Sequence, residues 1–344
     1  MTTDVAKGLT NFLTQQWNEE VRVDGITPAT AGARRQNVLF DAHHAGKTTP
    51  LCATITPNAA IQVMGAEVEA SCLQFAEAAG TPAPHVHGVS SDPSFVGGPF
   101  FITSRVDGET IPRRVLRMIE AHPGLGDRLG RQCGEALARL HGVDTRDAND
   151  ALVRPNGVAP SEQALRGLDL LFEGSLQPSL AFRLAFHWLE RNQPPPPQQL
   201  SLVHGDFRNG NLIVGEDGLR AALDWELTHI GDPMEDLGWM CQRMWRFRND
   251  DLEVGGFAGR DALRAGYEAA GGSWNEASFH WWKTMGTLRW GMGLAGQAAA
   301  HINGAVRSIV MAASGRRVAE LEYDTLMLLR SAFAGAPRTG KPAS

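Results

Sequence analysis

Residues 203–212 read Val-His-Gly-Asp-Phe-Arg-Asn-Gly-Asn-Leu and form the densest polar cluster in the chain. Apolar runs flank the cluster on both sides, which is typical of a loop between two short strands. Because side chains at strand ends are held firmly, this loop should present Asp206 and Asn211 in defined positions. The cluster therefore predicts a functional site with fixed polar side chains and not an ordinary surface turn.

A second acid follows the next predicted strand. Residues 219–223 are mainly apolar and end at Asp224, and the turn sequence at 215–218 joins them to the preceding apolar run as a hairpin. Such a hairpin would bring Asp224 back beside Asn211. Two Asp and one Asn supply the hard oxygen ligands that Mg²⁺ takes in combination with phosphate oxygens. The spacing thus predicts a Mg²⁺ site next to a bound phosphate.

This pattern resembles the catalytic loop and metal-binding Asp of the aminoglycoside phosphotransferase family, which shares the protein-kinase-like fold. The likeness lies in His-Gly-Asp at 204–206 with Asn five positions after the Asp, and in the segments 223–226 and 231–237. It covers roughly residues 25–330 and is strongest from 200 to 240. The resemblance implies transfer of phosphate from ATP to a hydroxyl of a small molecule, with Mg²⁺ as cofactor.

The resemblance also implies roles for single residues. Asp206 would orient the substrate hydroxyl and accept its proton, and His204 is assigned to the same catalytic motif. Asn211 and Asp224 would hold Mg²⁺ on the nucleotide phosphates. Because the cation favours the ionised carboxylate, Asp206 would act by positioning more than by basicity. Two further acids would brace the loop: Asp232 and Asp236.

Two other interpretations of these residues exist. Taken singly, His204, Asp206 and Asn211 are residue types common in turns. A cluster of Asp, Asn and His could also belong to a metallophosphoesterase, but such a site needs more His and Asp ligands in separate loops, which the sequence lacks. Order, spacing and strand context together favour the kinase-like interpretation.

Residues 31–37 lie between probable strands, where this family has its phosphate-covering loop. Backbone N–H groups of such a loop can cover phosphates. Gly32, Arg34 and Arg35 are therefore candidate nucleotide-binding residues, although one Gly in a polar turn is ordinary and either Arg could be a solvated surface charge.

Glu69 matches the helix glutamate of the family. Apolar residues recur at helical spacing over 66–79, and the family's glutamate on this helix normally pairs with a strand Lys or Arg. The chain departs from the family there, since no cation lies near Thr54. Either Arg34 or Arg35 takes over the missing charge, or the protein is a weak or degenerate kinase.

The predicted architecture is α+β, with a small β-rich N-lobe and a larger helical C-lobe. Alignment with the family places the adenine-binding hinge at Ser104 and Val106, where contacts come from main-chain groups. The predicted boundaries are 1–103 for the nucleotide-binding lobe, 104–108 for the hinge, 109–334 for the catalytic and substrate lobe, and 335–344 for a flexible tail.

Composition excludes several function classes. The 344 residues carry a formal net charge of −6, which gives no reason to expect nucleic-acid binding. The chain has no run of eighteen apolar residues and no basic-then-apolar export signal. Its four cysteines are scattered, as in a protein with reduced thiols. We therefore expect a cytoplasmic protein that needs no membrane; its oligomeric state is not predicted.

The acceptor should bind among C-lobe helices, roughly at 240–310. No acid occurs between Glu276 and Glu320, although acids just upstream could fold toward the pocket. Because aminoglycosides are polycations that need carboxylates around them, the acceptor is expected to be neutral, apolar or anionic, such as an acyl chain with a hydroxyl. The rival interpretation is a catalytically quiet nucleotide- or ligand-binding protein. The upstream acids are Asp250, Asp251 and Glu253.

Overall fold

In the computed structural model, the chain forms a strand-rich lobe followed by a helical one. The structure describes residues 2–31, 35–57, 62–146, 148–173 and 179–334. The predicted flexible tail at 335–344 lies outside the described residues. The first lobe contains, in order, α1 (Thr2–Trp17), β1 (Val21–Ala31), β2 (Gln36–His44), β3 (Lys47–Ile55), α2 (Ala66–Ala78), β4 (Val86–Ser90) and β5 (Phe100–Ser104).

The second lobe is built from helices around two short two-stranded sheets. Its helices are α3 (Pro112–Ala121), α4 (Leu125–His141), α5 (Pro160–Glu173), α6 (Leu180–Arg191), α7 (Met234–Met240), α8 (Arg260–Ala269), α9 (Glu276–Ile302), α10 (Ile309–Ser314) and α11 (Val318–Ala334). Its strands are β6 (Ser201–Val203), β7 (Leu212–Gly215), β8 (Gly218–Ala222) and β9 (His229–Gly231), and the two sheets are β6-β9 and β7-β8. Short 3₁₀ helices span Arg243–Arg246 and Gly315–Arg317.

The N-lobe sheet has the strand order β1-β2-β3-β5-β4, and all neighbouring strands pair antiparallel. Alternate residues of its central strands, such as Phe40, Leu51 and Phe100, point to one face and are fully buried. Leu9 and Leu13 of α1 cover that face. Helix α1 was not predicted from the sequence, although its burial completes the core of this lobe.

Most predicted elements are confirmed within a residue or two. The predicted helix at 66–79 is α2. Leu129, Cys133 and Leu137 also recur at helical spacing, which predicts a helix with one buried face over 126–142, and this helix is α4. The predicted hairpin is formed by β7 and β8, with Leu212 opposite Ala222. These elements place the polar cluster between β6 and β7 at the boundary with the N-lobe.

All four cysteines are unpaired, and three of them are buried. None of the helices in the described ranges has an apolar stretch long enough to cross a bilayer.

The two lobes are joined by a segment that is pinned to the C-lobe hairpin. Glu109 and Val214 exchange backbone hydrogen bonds of 2.8 and 3.0 Å just after this segment. A Cβ atom at position 108 would lie 2.5 Å from Ile213 Cγ2 and 2.9 Å from the Val214 oxygen, so this close approach requires glycine. The connection therefore ends at a fixed point beside the polar loop.

Helices α4 and α8 pack at unusually short range. A Cβ at Gly134 would lie 2.1 Å from the Leu263 carbonyl oxygen, and one at Gly266 would lie 2.0 Å from that of Arg131. Real Cβ atoms do not approach backbone that closely, so glycine allows the two helices to touch.

We expect Gly134→Ala to lower the free energy of unfolding by about 1–3 kcal/mol, because the added methyl group overpacks this contact. Gly167→Ala is the matched control on α5, where nothing lies within 4 Å of the added atom. That change should be neutral or add up to about 1 kcal/mol through helix propensity. Chemical denaturation measures both, and equal effects of the two variants would contradict the packing argument.

Candidate active site

One buried carboxylate, that of Asp236, fixes the backbone of the polar loop at residues 204–211. Asp236, which is 0% exposed, accepts hydrogen bonds from the backbone N–H groups of His204 at 2.7 Å and Gly205 at 2.9 Å. His141 lies 3.1 Å from the same carboxylate. Gly205 has φ +82° and no room for a Cβ, which would lie 2.4 Å from the Leu227 oxygen. Asp236 thus braces the loop, as expected for it.

The second predicted bracing acid, Asp232, lies two residues before the first residue of α7. Its Oδ1 accepts the backbone N–H of Met234 at 2.9 Å, and its Oδ2 accepts the hydroxyl of Ser278 at 3.1 Å. It therefore ties the start of α7 to α9. Since α7 also carries Asp236, this contact helps to place the carboxylate that holds the loop.

The structure places His204 in the core and not on the cleft surface. Its side chain is fully buried, its ring centre is 4.4 Å from that of Trp225, and its Nδ1 accepts the backbone N–H of Asp206 at 3.2 Å. Burial lowers the pKa of His204, which is consistent with a neutral ring accepting at Nδ1. An enclosed imidazole cannot touch a substrate, so the catalytic assignment of His204 is revised to a positioning residue.

Asp206 is oriented by three donors. Its Oδ1 accepts from Trp239 Nε1 at 2.8 Å and Arg208 Nε at 2.9 Å, and its Oδ2 accepts from Asn211 Nδ2 at 2.6 Å. The Arg208 guanidinium also stacks on Trp245, 4.4 Å from the ring centroid. These contacts fix the direction of the carboxylate.

Two of those three donors were missed by sequence reasoning. Arg208 stands two residues after Asp206, so its position in the loop was a usable signal. Trp239 lies on α7, 33 residues away, and only the packing of α7 beneath the loop brings its indole N–H to the carboxylate.

The hairpin brings Asn211 and Asp224 together, as predicted. The backbone N–H of Leu223 donates to the backbone carbonyl oxygen of Asn211 at 2.8 Å, so Asn211 lies beside the residue that precedes Asp224. Asp224 has φ +65°, a backbone conformation that is strained for a residue other than glycine. Its carboxylate is 38% exposed and therefore open to a ligand.

The donor set at this point fits Mg²⁺. Asn211 donates with its Nδ2 and keeps its amide oxygen for a cation, and Asp224 offers a carboxylate. Within the described ranges, no group of three or more His, Cys, Asp or Glu could hold a metal by itself. Two protein oxygens suit Mg²⁺ when phosphate and water complete its octahedron.

Arg35 lies at the centre of a cluster of three acids. Its two Nη atoms bind both oxygens of Glu69 at 2.9 Å each, and Nη2 also lies 2.7 Å from Glu226. Nη1 is 3.5 Å from Asp224, and the Arg35 side chain is only 15% exposed. Burial raises the pKa of the Glu69 carboxyl, and the adjacent guanidinium offsets part of that rise.

Glu69 therefore has a basic partner, although not on β3. Thr54 donates its hydroxyl to Asn37 Oδ1 at 3.0 Å and supplies no charge. The other two candidates of the phosphate-covering loop, Gly32 and Arg34, lie outside the described residues.

The hinge candidates follow β5. Ser104 donates its backbone N–H to the His85 oxygen at 2.8 Å, and its hydroxyl lies 2.8 Å from His87 Nε2. Val106 belongs to the irregular segment between β5 and α3 and is half-buried. Adenine contacts at these two residues, and the lobe boundaries, stay predictions.

A cavity of about 650 Å³ opens beside the Arg35 cluster. Its walls come from the start of α2, from α5, from residues 226–231 and from α9. Arg289 lines it and places its guanidinium 5.0 Å from the ring centre of Trp239, whose N–H binds Asp206. Arg289 and Trp239 therefore connect one wall of this cavity to the candidate catalytic carboxylate.

Both acids that line the cavity are paired. Glu226 binds Arg35, and Glu235 lies 3.1 Å from His229 and 2.8 Å from Arg289. Burial would raise the pKa of Glu235, but the two cations outweigh it and lower that pKa to about 2. Burial favours a neutral His229, but Glu235 outweighs it and raises the pKa of His229.

These two shifts predict a stability window. Glu235 contributes stability above its ordinary pKa of 4.5 and loses it as the pH falls toward 2. His229 contributes fully below its ordinary pKa of 6.5 and loses its contribution as the pH rises through its higher folded value.

We therefore expect His229→Gln to cost most stability near pH ~5.5 and clearly less near pH ~9. Urea denaturation of wild type and variant at both pH values measures the difference. His187→Gln, at an exposed ion pair on α6, is the control and should show little effect at either pH. A cost for His229→Gln that does not change with pH would contradict the assignment.

Known proteins are similar to this chain in sequence and in fold. The model of the phosphotransferase enzyme family matches residues 25–282. Acyl-CoA dehydrogenase family member 10 of Mus musculus is 30% identical over 167 residues, which are 47% of this chain and only 15% of the mouse protein. The chain thus spans a small part of the curated relative it matches.

Solved structures show the same fold. A protein of Ralstonia eutropha, provisionally assigned as an aminoglycoside phosphotransferase, superposes with a TM-score of 0.68 at 20% identity, covering 94% of this chain and 98% of that one. A thermostable aminoglycoside phosphotransferase APH(4)-Ia, solved with AMP-PNP and hygromycin B, gives a TM-score of 0.63 at 16% identity, covering 96% and 100%. The predicted two-lobed, protein-kinase-like α+β fold is confirmed, and the chain belongs to the phosphotransferase enzyme family.

Proposed function

We propose that the protein transfers the γ-phosphate of ATP, with Mg²⁺ as cofactor, to a hydroxyl of a small molecule. The observation that carries this proposal is the fixed carboxylate of Asp206 beside the paired oxygen ligands Asn211 and Asp224. The nucleotide complexes known for related folds, such as the one with AMP-PNP, support nucleotide use.

The contacts of Asp206 leave room for a substrate. A carboxylate has about four lone-pair positions, and three are filled by Trp239, Arg208 and Asn211. The remaining position can accept a hydrogen bond from an acceptor hydroxyl. Asp206 would thus aim the hydroxyl oxygen and take up its proton as transfer proceeds.

The nucleotide would supply the phosphoryl group: the bond between its γ-phosphorus and ADP would break as the bond to the acceptor oxygen forms, and a phosphate ester and ADP would result. Asn211 and Asp224 would hold the cation. His204 and Asp236 have a structural role, because their hydrogen bonds fix the conformation of the loop that carries Asp206.

We further propose that the acceptor has an apolar body, as an acyl chain with a hydroxyl does, and that it occupies the 650 Å³ cavity. Its lining includes Val68, Leu168 and Met285, and both of its acids are already paired. A polycationic aminoglycoside would find no free carboxylate among the described lining residues. The acyl-CoA dehydrogenase relative is consistent with an acyl compound, although that name belongs to the relative.

The cavity lies partly outside the region expected for the acceptor. Of residues 240–310, only Trp282, Met285 and Arg289 line it, and the remaining walls come from earlier parts of the chain. The upstream acids do not join the lining: Asp250 pairs with Arg243, and Glu253 pairs with Arg260 and Lys283.

We expect Asp206→Asn to lower kcat by about 10²–10⁴-fold, the usual contribution of a positioned proton acceptor. Binding of Mg²⁺–ATP, followed by calorimetry, should change little. Asp217→Asn, in the exposed β7–β8 turn, is the control and should keep full activity. Full turnover by Asp206→Asn would refute the assignment, and ATP binding without turnover of any hydroxy compound by wild type would favour the quiet binding protein.

Two neighbouring leucines of α5 test the acceptor site. Leu171 lines the cavity, whereas Leu170 is 70% exposed and does not. Leu171→Asp should raise KM for hydroxyacyl substrates about tenfold through lost apolar contact, and Leu170→Asp should leave KM unchanged. Equal KM values for both variants, or turnover of aminoglycosides by wild type, would contradict an apolar acceptor in this cavity.

A further inference from the structure

The strand that usually supplies a phosphate-binding cation cannot do so here. In kinases a β3 lysine pairs with a helix glutamate and with the nucleotide phosphates. The only cation of β3 is Lys47, at the far end from Thr54. Seven residues of strand span roughly 23 Å, so Lys47 cannot serve the Glu69 end of the strand.

Arg35 occupies the place that this leaves open. We infer that Arg35, which precedes β2, replaces the β3 cation and binds the nucleotide phosphates; this inference rests on the proposed function. Its fork holds both oxygens of Glu69, the partner that the β3 cation would have had. The phosphate-binding cation would thus lie next to β2 and not on the neighbouring strand β3.

The geometry shows how Arg35 can serve a phosphate without leaving Glu69. Its contacts with Glu69 at 2.9 Å are short and bidentate, whereas its contact with Asp224 is 3.5 Å long. Asp224 is also the exposed member and the proposed Mg²⁺ ligand. If the proposed Mg²⁺ bound that carboxylate, the Nη1 hydrogen that faces it would be free to donate a charge-assisted hydrogen bond to a phosphate oxygen.

Stability alone does not account for this cluster. One guanidinium faces three carboxylates, those of Glu69, Asp224 and Glu226, at 15% exposure. Buried ion pairs of this kind commonly add little to folding, because desolvation offsets their attraction. An excess of acid around a single cation suits a site that receives a further cation, as the Mg²⁺ complex provides.

The register of β2 and β3 indicates that a lysine at position 54 could take over the phosphate contact of Arg35. Thr54 lies opposite Asn37, and its hydroxyl binds that side chain, so both point to one face. Arg35 lies two residues before Asn37 and hence on the same face. Diagonal positions on paired strands are about 7–8 Å apart, within the reach of a lysine side chain at position 54.

The experiment compares nucleotide binding by wild type, Arg35→Gln and the double variant Arg35→Gln/Thr54→Lys. Calorimetry with Mg²⁺–ATP and with adenosine, together with unfolding temperatures without ligand, gives readouts independent of activity. Arg35→Gln should weaken Mg²⁺–ATP binding about 10- to 100-fold and leave adenosine binding unchanged. Thr54→Lys should restore most of the lost affinity. Arg22→Gln, at an exposed ion pair of β1, is the control and should bind like wild type.

Each result has one meaning. Unchanged Mg²⁺–ATP affinity in Arg35→Gln would overturn the inference and leave the proposed function standing. Loss of adenosine and ATP binding together with a large fall in unfolding temperature would also overturn it, since Arg35 would then be a structural link between the lobes. Wild type that binds no Mg²⁺–ATP would refute the proposed function itself.

Discussion

The site depends on a single buried carboxylate that holds two consecutive backbone N–H groups. Asp236 accepts from His204 and Gly205, and His141 contacts the same group. Backbone groups at a sharp loop have no partner in regular secondary structure, so leaving them buried and unpaired would cost about 1–3 kcal/mol each. Because α7 carries Asp236, the position of that helix sets the conformation of the loop and the direction of Asp206.

Charge compensation organises the rest of the cleft. Asp206 is matched by Arg208, and Glu69, Asp224 and Glu226 share Arg35. Asp224 keeps 38% of its side chain exposed, whereas Asp206 is nearly buried and accepts from three side-chain donors. The protein alone therefore keeps its acids partly neutralised, and the proposed Mg²⁺ nucleotide would complete the balance. The adjoining cavity differs, since its two acids are fully engaged and its walls are mostly apolar.

The elements that could be predicted from the sequence are those whose signals lie within a few neighbouring residues. The β7–β8 hairpin and the helices α2 and α4 follow from turn residues and apolar periodicity. Sequence reasoning was wrong about His204, because the motif does not reveal that Trp225 and Phe207 enclose the imidazole. Helix α1 was not predicted, because its apolar face is stabilised by packing against a sheet whose strands follow later in the chain.

The order of His, Gly, Asp and Asn at 204–211, with Asp224 after the next strand, was enough by itself to predict the family, because these residue types keep the order and spacing of the family's motif. Only the tertiary structure decided which distant groups complete the site. Trp239 reaches Asp206 from α7, and Arg35 reaches Glu69 across 34 residues. Such contacts arise because α7 and α2 each pack against a loop that is distant in sequence, which residue spacing along the chain does not encode.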